Sequence, residues 1–536
     1  MKKQGFIEGT MVGTIATVIC KILGLIYVIP FRMIVGSSGG ALYGYGYNIY
    51  MVFLSLATSG IPIAMSKIIS EYNTLEMTYE KDRAYKLGSR LIVGLGFISF
   101  IILFIFAPKL AFYILGNNTG GNTIEGVTLV IRIVSTALLI VPIQSVKKGY
   151  LQGHKYITIP QIANVIEQIV RVIVIILGSY LFYKVLNKSL ELSVGVAISG
   201  ATIGAIVSYT FISYKINKNK NDLKGTLSIK KQSDSVIIKK IIIYALPFIL
   251  IDLIKSAYNT VDMFTVVRTL TNMGYELSFA EEVLADITTW GSKLNMIVTS
   301  LVVGLSASLV PNIMSSFVKN DFKDVSKKIN QSLEILIILA IPMTLGLSFL
   351  SEAVWTIFYG TDKLGATIFA LQIFTALSLT FHSVLIDATQ TMNDSKMSIG
   401  MLLTSFTLKC VLNIPLMYLF KSLNIEPYYG AITATLLTQS MVIIVLLINL
   451  NKKFVVGYKN SLKVLLKVFI STIIMFAVLF IMKLFIPITN LSRIKSIFVI
   501  IIYAIVGVTI YLIITIKLHT YDDILTDDIK KKLHIR

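Results

Sequence analysis

Cysteine is almost missing from this chain: Cys20 and Cys410 are the only two in 536 residues. Each falls inside an apolar run, so a disulfide framework is not expected and both read as small buried apolar side chains. The four histidines, His154, His382, His519 and His534, are scattered. None joins a cysteine or carboxylate at metal-ligand spacing, so no metal site is expected. There is no Walker-type phosphate loop, which excludes ATP hydrolysis by this chain, and no segment outside the apolar runs is long enough for a separate catalytic domain. The expectation is a protein that is not an enzyme and has no resident cofactor. Charge is scarce too: 14% of residues are charged against 55% hydrophobic. The mean hydropathy of +0.78 lies far from that of soluble domains.

What is present is a series of long apolar runs. LIVGLGFISFIILFIFA (91–107), AITATLLTQSMVIIVLLI (431–448) and IFVIIIYAIVGVTIYLIITI (497–516) are long enough to span a bilayer and contain no Lys, Arg, Asp, Glu or His. They are too uniformly apolar for the alternating strands of a membrane barrel, so the class is all-α and polytopic. Fourteen spans are expected, near 10–35, 42–66, 91–112, 127–146, 157–183, 192–214, 241–268, 284–316, 330–351, 366–390, 397–420, 428–450, 464–486 and 496–516. Lys and Arg concentrate in the alternate loops on the side of both termini, which predicts that both ends are cytoplasmic. The net charge of +21 is therefore read as a topology signal and an attraction to anionic lipid, with no nucleic-acid partner. The start has a signal peptide's positive lead, but Lys21 interrupts its apolar core and no small-residue cleavage site follows, so it is read as a retained span.

Faint internal echoes suggest a duplication. PFRMIVG (30–36) resembles FTVVRTL (264–270), GIPIAMSKI (60–68) resembles LVPNIMSSF (309–317), and PIQSVKKGYLQG (142–153) resembles FHSVLIDATQTM (381–392). Their common order predicts two six-helix pseudo-repeat lobes, 1–214 and 241–451, joined by a basic loop over 215–240. A separate helix pair over 452–518 and a tail over 519–536 follow. An even number of spans per half starts both halves on the same side, the parallel-repeat arrangement of transporters that rock one half against the other.

An ionisable side chain at membrane depth is costly unless it faces water or a partner, so such residues are the candidates for function. Lys21 and Arg32 stand eleven residues apart on the first expected helix, on one face and about 16 Å apart along its axis. In the seventh span Asp252, Lys255, Asn259 and Asp262 form a polar stripe. This reads either as a coupling-ion or gating set or as an internal salt-bridge set. Arg268 lies on another face near the helix end, where snorkelling competes with a binding role. Glu167 and Arg171, four apart, favour a structural pair. Lys293 joins the candidate cations, Asp387 the candidate coupling-ion or gating group, and Lys409 is a further charge at depth. Pro30, Pro62, Pro247 and Pro311 sit within spans as candidate gating hinges. The glycines of VGSSGGALYGYGYNIY (35–50) suit close helix approach or a bend, and Tyr43, Tyr45 and Tyr47 an interfacial belt.

Several stretches together, KILGLIYVIPFRMIVG, GIPIAMSKIISEY, GYLQGHKYITIPQIANVIEQIVRV, NTVDMFTVVRTL and TSLVVGLSASLVPNIMSS, resemble the MurJ and SpoVB-type branch of the multidrug/oligosaccharidyl-lipid/polysaccharide (MOP) exporter superfamily. The resemblance spans nearly the whole chain. It implies a bacterial plasma-membrane flippase that moves a polyprenyl-diphosphate-linked peptidoglycan precursor, lipid II, by alternating access. It also implies a cationic cavity between two lobes, matched here by Lys21, Arg32 and Arg268, and an apolar groove for the lipid tail on the last helix pair. Lysine stands at position 21 where relatives often have arginine, and it cannot form arginine's planar fork on a phosphate. Coupling to a monovalent cation or to the membrane potential, and contact with cell-wall synthesis machinery, belong to the same expectation. A flippase for a capsule, teichoic or spore-cortex glycan, or a MATE-like cation-coupled drug antiporter, are the alternatives.

Overall fold

A computed structural model describes residues 6–116, 120–219, 223 and 232–520, and among these every regular element is helical. Residues 220–222 and 224–231 of the basic loop expected over 215–240, and the tail beyond residue 520, lie outside the described residues. Among the described residues, twelve helical segments are long and apolar enough to cross a membrane. The fourteen-span reading adds two more: the shorter apolar helix Met11–Ile26, and Asp234–Asn272, which contains Asp252, Lys255, Asp262 and Arg268.

The surface is inverted relative to a soluble protein. Large apolar side chains such as Phe97, Ile105, Phe469, Phe485 and Phe498 are exposed, while Glu80, Lys81, Glu281, Asp286, Glu334 and Lys409 are buried. Lipid satisfies the first group, and only protein partners can satisfy the second.

Helix α1 (Phe6–Ile26) meets α2 (Val28–Thr58) at Tyr27, which keeps helical dihedrals of −65° and −21°. Pro30 explains the interruption, because it has no N–H to donate to Ile26 and its ring crowds that carbonyl. Lys21 and Arg32 therefore stand on either side of a helix break, and not on one regular helix. The true bend is at Gly36, with φ 67° and ψ −167°, a conformation glycine adopts without a Cβ penalty. Helix α3 (Ile61–Thr74) opens with Pro62 in its first turn, where a missing N–H costs nothing, so this proline starts a helix where a mid-span hinge was expected. Helices α4 (Thr78–Leu115), α5 (Ile124–Ser135), α6 (Ala137–Gly153), α7 (Thr158–Ile173) and α8 (Leu190–Lys218) follow. Two π-helical turns, Val174–Gly178 and Leu181–Val185, carry α7 onward. Helix α9 (Asp234–Asn272) keeps Pro247 inside, and α10 is Leu277–Ala285.

The chain divides into two compact units: Met1–Trp290 with Lys409–Ile414, and the remainder. Helix α9 belongs to the first unit, which differs from the expected division at the basic loop. The reason is a set of polar ties that hold its start to α3 and α4. Arg83 pairs with Asp234, Lys240 with Glu71 at 2.5 Å, and the Gln232 N–H donates to Glu80 at 3.0 Å.

The second unit contains α11 (Gly291–Val318, with Pro311 inside), α12 (Phe322–Phe349), α13 (Ser351–Tyr359), α14 (Lys363–Thr391), α15 (Ser395–Ser422, apart from the segment grouped with the first unit), α16 (Tyr428–Phe454), α17 (Lys459–Phe485) and α18 (Arg493–Lys517). The last pair is fastened to α12 by buried hydroxyls: Ser461 donates to Asn330 at 2.5 Å and to Glu334 at 3.2 Å, and Tyr511 donates to the Ile338 carbonyl at 2.8 Å.

Candidate functional site

One cluster of charged side chains in the first unit lies where α2 meets α10 and the π-helical turn Asp286–Trp290 that follows it. Arg32 Nη1 donates to Asp286 Oδ1 at 3.0 Å, and its guanidinium sits 5.4 Å from the Trp290 ring centroid. Arg32 is 8% exposed and Asp286 0%, so neither charge is solvated and each depends on the other. Trp290 packs directly on Gly40, where any Cβ would overlap the indole. Gly40→Ala is therefore expected to force this interface apart and destabilise the protein by about 1–3 kcal/mol, measurable as a lowered melting temperature in detergent.

Two more acids fasten the same face. Glu281 accepts from the Tyr45 hydroxyl at 3.0 Å and from the Asn122 backbone N–H and side-chain amide at 2.8 and 3.1 Å. Ser37 donates to Glu282 at 3.1 Å. Tyr43 and Tyr45 are buried in this packing instead of forming an interfacial belt. Glu281, Glu282 and Asp286 were not among the sequence candidates. Their signal was that the segment 271–286 holds four acids and no Lys or Arg, so any counter-charge had to come from another helix.

A second cluster surrounds Asp262. Lys409 donates to its Oδ2 at 2.7 Å and Asn413 to its Oδ1 at 3.1 Å. Lys409 also lies 4.3 Å from the Tyr258 ring centroid. The expected stripe thus separates: Asp262 is buried, while Asp252 and Asn259 are exposed and Lys255 is half-buried. With Lys409 and Asn413 on its two oxygens, Asp262 is not open to a coupling cation in this conformation.

Lys21, Lys255 and Arg268 are half-buried, and among the described residues none has a carboxylate within ion-pair distance. Arg32 differs from them in being neutralised. Lys293 and Asp387 belong to the second unit, where Asp387 accepts from Ser306 at 2.6 Å. Glu167 accepts from Arg171 at 2.8 Å, Lys148 at 3.2 Å and Gln144 at 2.9 Å, so the pair is one part of a three-donor set.

Residues 6–317, more than half of the chain, match the polysaccharide biosynthesis protein family. The chain belongs to that family. Within the family it is 36% identical over 441 residues, 80% of each chain, to the lipid II flippase MurJ of Bacillus subtilis (strain 168). It is 22% identical over 372 residues, 69% of each chain, to stage V sporulation protein B of the same organism. The chain also shares its fold with a solved lipid II flippase MurJ in an inward closed conformation. That match has a TM-score of 0.65 and 18% identity, and covers 96% of this chain and 100% of the other. An inward-facing MATE-family multidrug transporter of the MOP superfamily aligns at a TM-score of 0.58 with 16% identity, over 80% of this chain and 95% of that one. Family and fold together make this a multi-pass membrane protein of the MurJ and SpoVB-type branch.

Proposed function

We propose that this chain is a flippase that carries lipid II from the inner to the outer leaflet of the bacterial plasma membrane. The observation that carries the reading is the 36% identity to a lipid II flippase across 80% of both chains. The charge pattern fits it physically. A diphosphate-linked sugar will not enter hydrocarbon unaided, and Lys21, Lys255 and Arg268 are cations at membrane depth that have no carboxylate within ion-pair distance among the described residues. Arg32 joins them only when it leaves Asp286, so headgroup binding and release of that contact exchange one anion for another. A surplus of lining cations disfavours an organic-cation antiporter. Alternating access moves the head, while the polyprenyl tail stays in lipid along the last helix pair. Both termini face the cytoplasm, where the basic loops meet anionic lipid and the cell-wall synthesis machinery.

Moving one charge through the full membrane field is worth about 2.3 kcal/mol per 100 mV, so a negative interior favours expulsion of the anionic head. Purified protein in sealed vesicles is expected to move fluorescent lipid II between leaflets, and to do so more slowly once the potential is collapsed. Transport no faster than in protein-free vesicles sinks the flippase reading. An equal rate with and without potential removes the coupling.

A further inference from the structure

Within the first unit, α1, α6 and α7 line a half-open cavity of about 270 Å³ bordered by Ala16, Thr17, Cys20, Lys148, Gln161, Asn164, Glu167 and Gln168. Gln161, Asn164 and Gln168 follow one another at helical spacing on one face of α7, opposite short α1 side chains that leave the space open. Amides at this depth are costly unless something meets them.

Among the described residues the cavity's one lining carboxylate is already used, since Glu167 accepts from Gln144, Lys148 and Arg171. A cation would therefore find no free anion here. Lys148, the basic residue of the lining, is already shared with that carboxylate, so the cavity is also poorly suited to a diphosphate. What remains is neutral. Asn164 donates to Gln161 Oε1 at 3.3 Å, leaving the Gln161 N–H groups, the Asn164 oxygen and the Gln168 amide without protein partners among the described residues. On two residues that donate to Glu167, the Gln144 Oε1 and Arg171 Nε atoms are buried with no hydrogen-bond partner among the described residues. Adjacent donors and acceptors of this kind match hydroxyl and acetamido groups, which need both. The volume falls just below the usual ligand range of about 300–1,000 Å³, which suits one sugar ring and not a whole headgroup. Lys21, a candidate diphosphate cation, directly follows Cys20 on α1.

We infer that this cavity is a subsite for the N-acetylated sugar of the transported headgroup, an inference that rests on the flippase reading and adds a second anchor to the diphosphate. Cys20 lines the cavity and reports on it. In full-length protein carrying Cys410→Ser, lipid II is expected to slow modification of Cys20 by a small thiol reagent at least about fivefold, whereas undecaprenyl diphosphate, which has no sugar, leaves it unchanged. Asn164→Leu and Gln168→Leu, tested separately, are expected to slow lipid II flipping roughly tenfold through lost hydrogen bonds. Both should leave the melting temperature and the affinity for undecaprenyl diphosphate as in wild type. Equal protection by the two lipids, no protection by either, wild-type flipping in both variants, or loss of undecaprenyl diphosphate affinity overturns the subsite. Protection of Cys20 by lipid II without any flipping supports the subsite and sinks the flippase reading. Flipping without protection does the reverse.

Discussion

Arg32→Ala is expected to abolish lipid II flipping and to lower stability at once, and the two effects can be separated. Removing the guanidinium leaves Asp286, fully buried, as an uncompensated charge, a loss of about 3–5 kcal/mol when one partner of a buried pair is deleted. Asp286→Ala leaves Arg32 in the same position and carries a similar penalty. If the pair served folding alone, the double variant Arg32→Ala/Asp286→Ala would recover both stability and transport, because two apolar replacements leave no bare charge. If Arg32 also takes the diphosphate, the double variant recovers its melting temperature but stays inactive. Flipping at wild-type rate in the double variant would reduce Arg32 to a structural residue.

The second large effect concerns Asp262. Asp262→Ala strands the Lys409 ammonium, which is 1% exposed, and takes an acceptor from Asn413. A melting-temperature loss equivalent to about 3–5 kcal/mol is expected from the bare charge. Pairing Asp262→Ala with Lys409→Met should restore most of it, since methionine keeps the stem's volume without the charge. If instead Asp262 holds a coupling cation, a monovalent cation in the assay buffer would stabilise the wild type, and that increment would vanish in the double variant. Identical melting of the wild type across sodium, potassium and choline salts would leave only the structural role.

These partnerships mark the limit of what is legible in a single chain. That positions 21, 32, 171, 255, 262, 268, 293 and 409 are charges within apolar runs was readable from hydropathy alone. The Glu167–Arg171 contact was also readable, because i and i+4 face each other on any helix. Arg32 with Asp286 and Asp262 with Lys409 were not, since 254 and 147 residues separate the partners and helix periodicity says nothing about which faces meet. The polar stripe of α9 shows the same limit: 100° per residue placed Asp252, Lys255 and Asp262 together, but their different surroundings separated them.

Composition and apolar run length determined the class: a polytopic helical membrane protein with an uneven distribution of basic loops. This follows because hydrocarbon admits a helix only when its backbone bonds close internally and its side chains are apolar. Tertiary packing alone decided which buried charges are neutralised, that Trp290 seats on Gly40, that α9 joins the first unit, and that Tyr45 serves Glu281 instead of the membrane interface. Each depends on groups distant in sequence meeting at a few ångströms, where the low dielectric makes one partner's position govern the other's energy.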